Sequence, residues 1–470
     1  MSSALLTTRP PAAGTIRGMT ATTDFTGVLL RPGDPGYEAA RRVESDTVDR
    51  RPALIARCAT ADDVAAALRL ARSAGLPVTV RAGGHGPDGF AIADDALVID
   101  LTPMRWVAVD ARRRRARVQG GATWRDLDAA TSPHALAVTG ARIPSVGVAG
   151  FMLGSGSGWL ERRHGLAADS LHAATVVTAG GEVVTASRRE HPELFWALRG
   201  GGPSFGIVVE LELGLHPVGS AVLGGLLAWP AARAGDVAAV YTAVMDAAPD
   251  DLGGGLTLLS APAAPFIPPA LHGAPLVAVV VLWTGAPAAV GALLAPLRDL
   301  APAVDSVRPT PYAAFQGMFE SREHVTARVH GEGGFLTALP DTAVTALAAL
   351  QERKPAPLGS LLLQPLGGAF ACVPEGATPL TQRDAPWAWQ AGAAWFDAAA
   401  DGAVRAWMGD VRTALAPWTR GVAYPNFIPD ADPARLRAAY RPEDWARLRA
   451  IRADWDPDGV LAAGHAIPLP

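Results

Sequence analysis

The chain has 470 residues, 49% hydrophobic and 18% charged, enough to bury large cores and to divide into two or three domains. Its formal net charge of -4 leaves no electrostatic footprint for nucleic acid. Cys58 and Cys372 stand too far apart for a metal or redox motif, and the ten histidines show no zinc-type spacing.

Residues 1–27, rich in Thr, Pro and Ala, are expected to form a disordered leader, with Met19 a candidate start. No apolar stretch reaches signal-peptide or membrane-spanning length, so a cytoplasmic location without a membrane partner is expected. Thr60 reads as a hydroxyl N-cap with Asp63 three residues on. Apolar Val64, Ala67, Leu68 and Ala71 follow, and Gly75 is the stop, which together predict a helix. A strand over 78–80 comes next and runs into PVTVRAGGHGPDG, Pro77 to Gly89. There a β-branched run ends in Arg81, then two glycines, then His85. Such a turn presents several backbone N–H groups to an anion and holds one imidazole beside it. A phosphate-bearing cofactor tethered near His85 is predicted.

Further on, ALVIDL and WVAVD alternate like strands, and Arg112 to Arg115 with Arg117 fall between two such runs, as a solvated hairpin turn would. Gly120 and Gly121 lead into a helix near Thr123. TVVTAGGEVVTA reads as a hairpin about Gly180 and Gly181, and GIVVELELGLHPV as a long strand closed by His216 and Pro217. Residues 48–218 thus form one α+β domain. From 219 to 420 the composition shifts to Ala, Pro and Leu. Runs such as LVAVVVLW and TAVTALAALQER predict a sheet covered on one side by helices. Residues 421–470 carry YPNF and an arginine-rich helix ending at DPDG.

Two pattern matches fail on context. Gly84, Gly86 and Gly89 spell G-x-G-x-x-G, but a strand follows where a dinucleotide site needs a helix. Gly202 to Gly206 spell G-x-S-x-G around Ser204, yet they also run into a strand, so Ser204 is not expected to be a nucleophile. What remains is a concentration of glycines at 83, 84 and 86, at 120 and 121, at 147, 150, 154, 156 and 158, and at 200–202 and 206. Turns explain any one cluster; together they suggest backbone brought close to an extended, planar or phosphorylated ligand.

Pieces covering nearly the whole chain stand in a recognisable order: RPALIARCATADDVAAALRLAR, VRAGGHGPDG, IPSVGVAGFMLGSGSGWLERRHGLAADSL, VVTAGGEVVTA and ELFWALRGGGPSFGIVVELEL, then PYAAFQGMF, LGGAFACVPEGATPLTQRDA, YPNF and RLRAIRADWDPDGVL. The chain resembles the berberine-bridge-enzyme-like oxidoreductases of the vanillyl-alcohol oxidase superfamily, whose FAD domain is of p-cresol methylhydroxylase (PCMH) type. That resemblance implies an α+β fold: a two-subdomain PCMH-type FAD-binding domain, a substrate domain with an antiparallel helix-covered sheet, and residues 421–470 returning to the FAD domain.

It further implies an FAD cradle from Arg81, Ala82, Gly83, Gly84, His85 and Gly86, from Pro144, Ser145, Val146, Gly147 and Gly150, from Gly154, Gly158 and Trp159, and from Gly206, Ile207 and Val208, with Tyr424 and Asn426. His85 would bond through a ring nitrogen to the 8α-methyl of FAD, the neutral imidazole being the nucleophile. Ile143 occupies the position of the cysteine that makes a second tether in many members, so one link is expected; Gly86 replaces the usual serine. Val146 stands where members with valine admit dioxygen. Tyr424, of the Y-x-N motif, would take a proton. A phenol ordinarily titrates near 10, so that role needs a neighbour or the flavin to lower it, and a core aromatic is the alternative. Gln390, at a second catalytic position, cannot be a base and would orient substrate. Tyr312, Gln316, His330 and Arg383 are further cavity candidates. The resemblance thus implies an oxidase that removes a hydride from an alcohol or amine carbon of a sugar-like or secondary-metabolite substrate and passes electrons to dioxygen. A dehydrogenase with another acceptor and a non-redox flavin-binding protein are the rivals.

Overall fold

The computed structural model describes residues 25–86, 89–264, 266–318, 320, 327–429, 432–461 and 465–470. Most of the expected leader, and Pro87 of the glycine turn, lie outside the described residues.

The first helix is the one its caps dictate. Over Ala61–Ala74 the Thr60 hydroxyl accepts the Asp63 amide, the Asp63 carboxylate accepts the Thr60 amide, and Gly75 ends the helix at φ 63°. Reciprocal capping of this kind satisfies two donors that a helix start otherwise leaves open. Val64, Leu68 and Ala71 share a core with Leu54, Val78 and Leu97 of the adjoining sheet. That sheet has the strand order Val28–Leu30, Leu54–Arg57, Leu97–Asp100, Val78–Arg81. Its last two pairings are parallel, and parallel neighbours need a crossover connection, which the helix supplies between Leu54–Arg57 and Val78–Arg81.

A second, wholly antiparallel sheet runs in the order Val107–Asp110, Arg115–Gln119, Ile207–Gly214, Leu171–Val177, Val183–Ser187. Arg112, Arg113 and Arg114 are exposed at the turn joining its first two strands, as the charge cluster predicts. Strand Ile207–Gly214 serves two cores at once. Ile207 and Val209 pack with the first subdomain, while Val208, Leu211 and Leu213 pack with Trp124 and Phe205. Its alternation is therefore hydrophobic on both faces and locks the subdomains together.

The next domain is one antiparallel sheet of nine strands. Its path runs Val304–Asp305, Val222–Pro230, Pro275–Trp283, Leu252–Ser260, Leu358–Pro365, Trp387–Trp395, Arg328–Leu336, Thr419–Ala423, and Arg308–Thr310 pairs with the second of these. Helices Ala234–Ala247, Val290–Arg298, Asp341–Glu352 and Asp401–Leu415 cover one face. Strand Trp387–Trp395 shows why. Trp387, Trp389, Ala391, Ala393 and Trp395 join the helix-side core, which turns Ala388 and Gln390 toward the other domain.

After Thr419–Ala423 the chain leaves this sheet. Leu436, Leu448 and Ile451, from helices Pro433–Ala438 and Pro442–Trp455, are buried in the same core as Trp124 and Leu211. The end of the chain is pinned by Ser204, whose buried Oγ accepts the Ile467 amide at 2.9 Å. That serine is a structural cap, and strand Ile207–Gly214 follows it, so no nucleophile elbow forms.

Candidate active site

Glycine contacts bring three loops together. A β-carbon on Gly83 would lie 2.2 Å from the Gly147 amide nitrogen, and one on Gly158 would lie 2.2 Å from the Gly140 carbonyl oxygen. Real side chains never approach so closely, so the turn carrying His85 is held against the Pro144–Gly147 loop only because both positions lack one. Within that turn Gly84 has φ 73°, and among the described residues the amides of Gly83 to Gly86 donate to no backbone carbonyl. The Nε of Arg81 and the Oγ of Ser155 are buried without a partner. A row of open amides beside an arginine is an anion cradle. His85 lies mostly buried with its Nε2 3.5 Å from Glu44 Oε2. Burial pulls its pKa below the ordinary value while Glu44 and Glu320 oppose the shift, which keeps the imidazole neutral and nucleophilic at neutral pH.

A narrow cavity opens between these loops and the uncovered face of the large sheet. Phe335, Phe370 and Phe427 give it aromatic walls. Arg142 enters from the FAD-domain side with its guanidinium 4.7 Å from the centre of the Trp159 ring, and it donates to Ser157 Oγ and to Gln364 Oε1. Gln364 in turn donates to the Gly158 carbonyl at 2.9 Å. Glu161, first residue of the short helix Glu161–His164, is 1% exposed, with Ser157 and the Gly158 backbone beside its carboxylate and no ion pair among the described residues. Burial pushes its pKa up to about 7, with Arg142 pulling the other way.

Tyr424 follows strand Thr419–Ala423 directly. Its ring meets Phe335 edge-on at 5.8 Å and Phe427 at 5.4 Å, and its buried hydroxyl lies beside the Gly156 backbone. Two residues on, Asn426 Nδ2 donates to the Phe151 carbonyl at 3.0 Å and so fixes the segment against the FAD domain. Gln390, opposite Gly333 and Leu362 in the sheet, lines the same cavity.

Residues 52–187 match the FAD binding domain family. Over 221 residues the chain is 40% identical to (R)-6-hydroxynicotine oxidase of Paenarthrobacter nicotinovorans; the alignment spans 47% of this chain and 48% of that protein, about half the length of each. The crystal structure of 6-hydroxy-D-nicotine oxidase from Arthrobacter nicotinovorans matches with a TM-score of 0.81 at 27% identity, covering 94% of this chain and 98% of that one. Over these ranges the chain is similar to FAD-linked oxidoreductases. BBE-like 28 from Arabidopsis thaliana shares the fold, with a TM-score of 0.83 at 23% identity over 94% and 98% of the two chains. The residues present fit an FAD: the open amides, the Arg81 Nε and the Ser155 hydroxyl suit a pyrophosphate, and the glycine-lined loops suit the backbone's close approach to a planar ring.

Of the expected FAD contacts, Arg81 to Gly86, Pro144 to Gly147, and the stretch from Gly154 to Trp159 converge on this junction, where Asn426 also stands with its Oδ1 where a Gly154 side chain would be. Ile207 and Val208 point their side chains into protein cores, so only their backbone and Gly206, at φ 140°, can face a ligand. Ile143 is exposed. The proton-accepting role expected of Tyr424 requires that it release the proton it already carries. Its surroundings push the phenol pKa up, burial first and Glu161 second, against Arg142 and Arg383, so the protein keeps this phenol protonated at neutral pH. Three weaker cavity candidates are engaged elsewhere, and a fourth with them. Arg383 clasps the Asp169 carboxylate through both Nη atoms at 2.8 Å. His330 lies 3.2 Å from Glu332, and the Tyr312 hydroxyl donates to Gln316 Oε1 at 3.3 Å. Sequence reading did not single out Arg142, Glu161 or Gln364. The available signal was a carboxylate placed directly after the apolar pair Trp159-Leu160 in a glycine-rich stretch. Among the described residues no His, Cys, Asp and Glu cluster suits a metal, and no helix is long and apolar enough to cross a membrane.

Proposed function

We propose that the protein is an FAD-dependent oxidase with the cofactor joined to His85 alone, acting on a carbon that bears an alcohol or an amine. The observation that carries this reading is one junction holding both a neutral, buried imidazole on an amide-rich turn and a cavity with a buried phenol. When bound, FAD supplies the hydride acceptor. Arg81 and the amides of Gly83 to Gly86 hold the pyrophosphate. The aromatic walls exclude water and orient a ring or a sugar face against the cavity floor. Gln390 hydrogen-bonds the substrate's polar groups, and Gln364 holds Arg142 in place. Tyr424 takes the O–H or N–H proton as the adjacent carbon gives up its hydride. Val146, half-buried on the loop beside His85, supports dioxygen as the electron acceptor. The hydroxynicotine oxidases among its relatives favour an amine or a secondary metabolite as substrate.

Acid precipitation tests the tether: flavin absorbance stays in the pellet of wild type and leaves it in His85→Ala. A panel of one cyclic secondary amine, one benzylic alcohol and one aldose tests the chemistry by bleaching of the flavin. Stopped-flow mixing of the reduced protein with aerated buffer separates an oxidase from a dehydrogenase, and a panel that leaves the colour untouched favours a non-redox flavoprotein.

A further inference from the structure

Glu161 is a buried carboxylate with Ser157 and the Gly158 backbone beside it but no ion pair among the described residues, and it faces a cavity rather than the protein core. Burying a carboxylate without a paired cation is expensive. Packing does not account for it, since an apolar side chain would fill the first position of a four-residue helix without that cost. We infer that Glu161 is the proton sink of this site, the carboxylate to which Tyr424 hands its own proton when it takes one from the substrate. The inference rests on the oxidase reading above.

Elimination and chemistry support it together. Tyr424 stays protonated in these surroundings, so it can accept a proton only by releasing the one it carries. The groups that face it are few. Arg142, from the loop before Pro144, and Arg383, from the segment before strand Trp387–Trp395, act on both Tyr424 and Glu161, but guanidinium groups hold their protons and accept none. Gln364 and Gln390, from the sheet, are amides without basicity. The Asp169 carboxylate is occupied by Arg383. Glu161 alone has free lone pairs and an affinity for protons in the neutral range. In the transfer the substrate O–H or N–H bond breaks and a Tyr424 O–H bond forms. The original Tyr424 O–H breaks and a Glu161 O–H forms, directly or through one bridging water. The hydride leaves the substrate carbon for FAD, and a C=O or C=N bond results. Because the carboxyl must be ionised to receive a proton, the reaction slows as pH falls through its titration.

Two readouts test this, one of them independent of turnover. The infrared carbonyl stretch of protonated carboxyls is followed across pH in the purified flavoprotein carrying Asp128→Asn, since Asp128 is a second buried carboxyl titrating near 7. The expected result is a band lost with a midpoint near 7 that disappears in Glu161→Gln and survives Tyr424→Phe. A band unchanged by Glu161→Gln overturns the inference and leaves the oxidase reading standing. In the second readout, flavin reduction by the bleaching panel compound falls about tenfold per pH unit below 7 in the parent. It becomes slow and flat in Glu161→Gln, and the limb returns, shifted, in Glu161→Asp, which also serves if the glutamine variant fails to fold. A limb that persists in Glu161→Gln overturns the inference. If no panel compound bleaches the parent, the oxidase reading falls and takes this inference with it.

Discussion

Gly83 and Gly147 lie back to back: a β-carbon on the first would sit 2.2 Å from the amide nitrogen of the second, and one on the second 2.5 Å from that of the first. Everything on the His85 turn is aimed by that contact. Gly83→Ala should push the two loops apart, at about 1–3 kcal/mol for an overpacked contact against rigid backbone, and should lower both the melting temperature and the flavin content. Gly86→Ala, three residues along, meets nothing within 4 Å and is the matched control. Equal melts for the two variants would show that the close approach is not what holds the turn.

Among the described residues the buried Tyr424 hydroxyl has only the Gly156 backbone as a hydrogen-bonding neighbour, so its removal should disturb folding little. Tyr424→Phe is expected to melt with wild type, within about 0.5 kcal/mol, and to slow flavin reduction by about 10²- to 10⁴-fold, the usual worth of a positioned proton-transfer group. Thermal melts and single-turnover bleaching settle both halves. A variant that reduces at the wild-type rate would make Tyr424 a core aromatic.

Much of this architecture is legible in the sequence because it is written in local chemistry. Thr60 and Asp63 announce a helix start, Gly75 its end, and the paired glycines at 83–84 and 120–121 mark turns whose conformation few other residues adopt. The YPNF segment returns to the cavity as the resemblance implies. The meeting of Glu161 with Gln364 and Tyr424 is not legible, because it joins three distant segments and depends on which face of an alternating strand the helices cover. Arg383 illustrates the converse. Its place near the cavity segments suggests a substrate role, but only the folded chain reveals that Asp169 claims both ends of its guanidinium.

That Arg383–Asp169 pair is buried, with side chains 5% and 11% exposed, and the Arg383 guanidinium also lies 5.3 Å from the Phe370 ring centre. Removing one partner strands the other charge in the interior. Arg383→Met is therefore expected to cost about 3–5 kcal/mol, and Arg383→Met with Asp169→Asn to recover part of that loss, since no uncompensated carboxylate remains. Urea unfolding of the three variants and wild type closes the cycle. A double variant less stable than the sum of the singles would mean that the pair is not the dominant interaction at this site.

Asp128 offers a stability test whose sign follows from its burial. It lies in helix Trp124–Thr131, is 4% exposed, and its Oδ1 has no partner; burial alone raises its pKa to about 7. In the unfolded chain an aspartate titrates near 3.9. Between about pH 4 and 7 the unfolded state has therefore released a proton that the native state still holds. Rising pH favours the unfolded state across that window, and the loss is complete above the folded pKa. Each unit of separation is worth about 1.4 kcal/mol. Asp128→Asn removes the titration while keeping the shape, so it should match wild type near pH 4 and exceed its stability by about 4 kcal/mol at pH 8. Denaturant unfolding at those two pH values decides the matter, and equal stabilities at pH 8 would mean that Asp128 is ionised and solvated in the native protein after all.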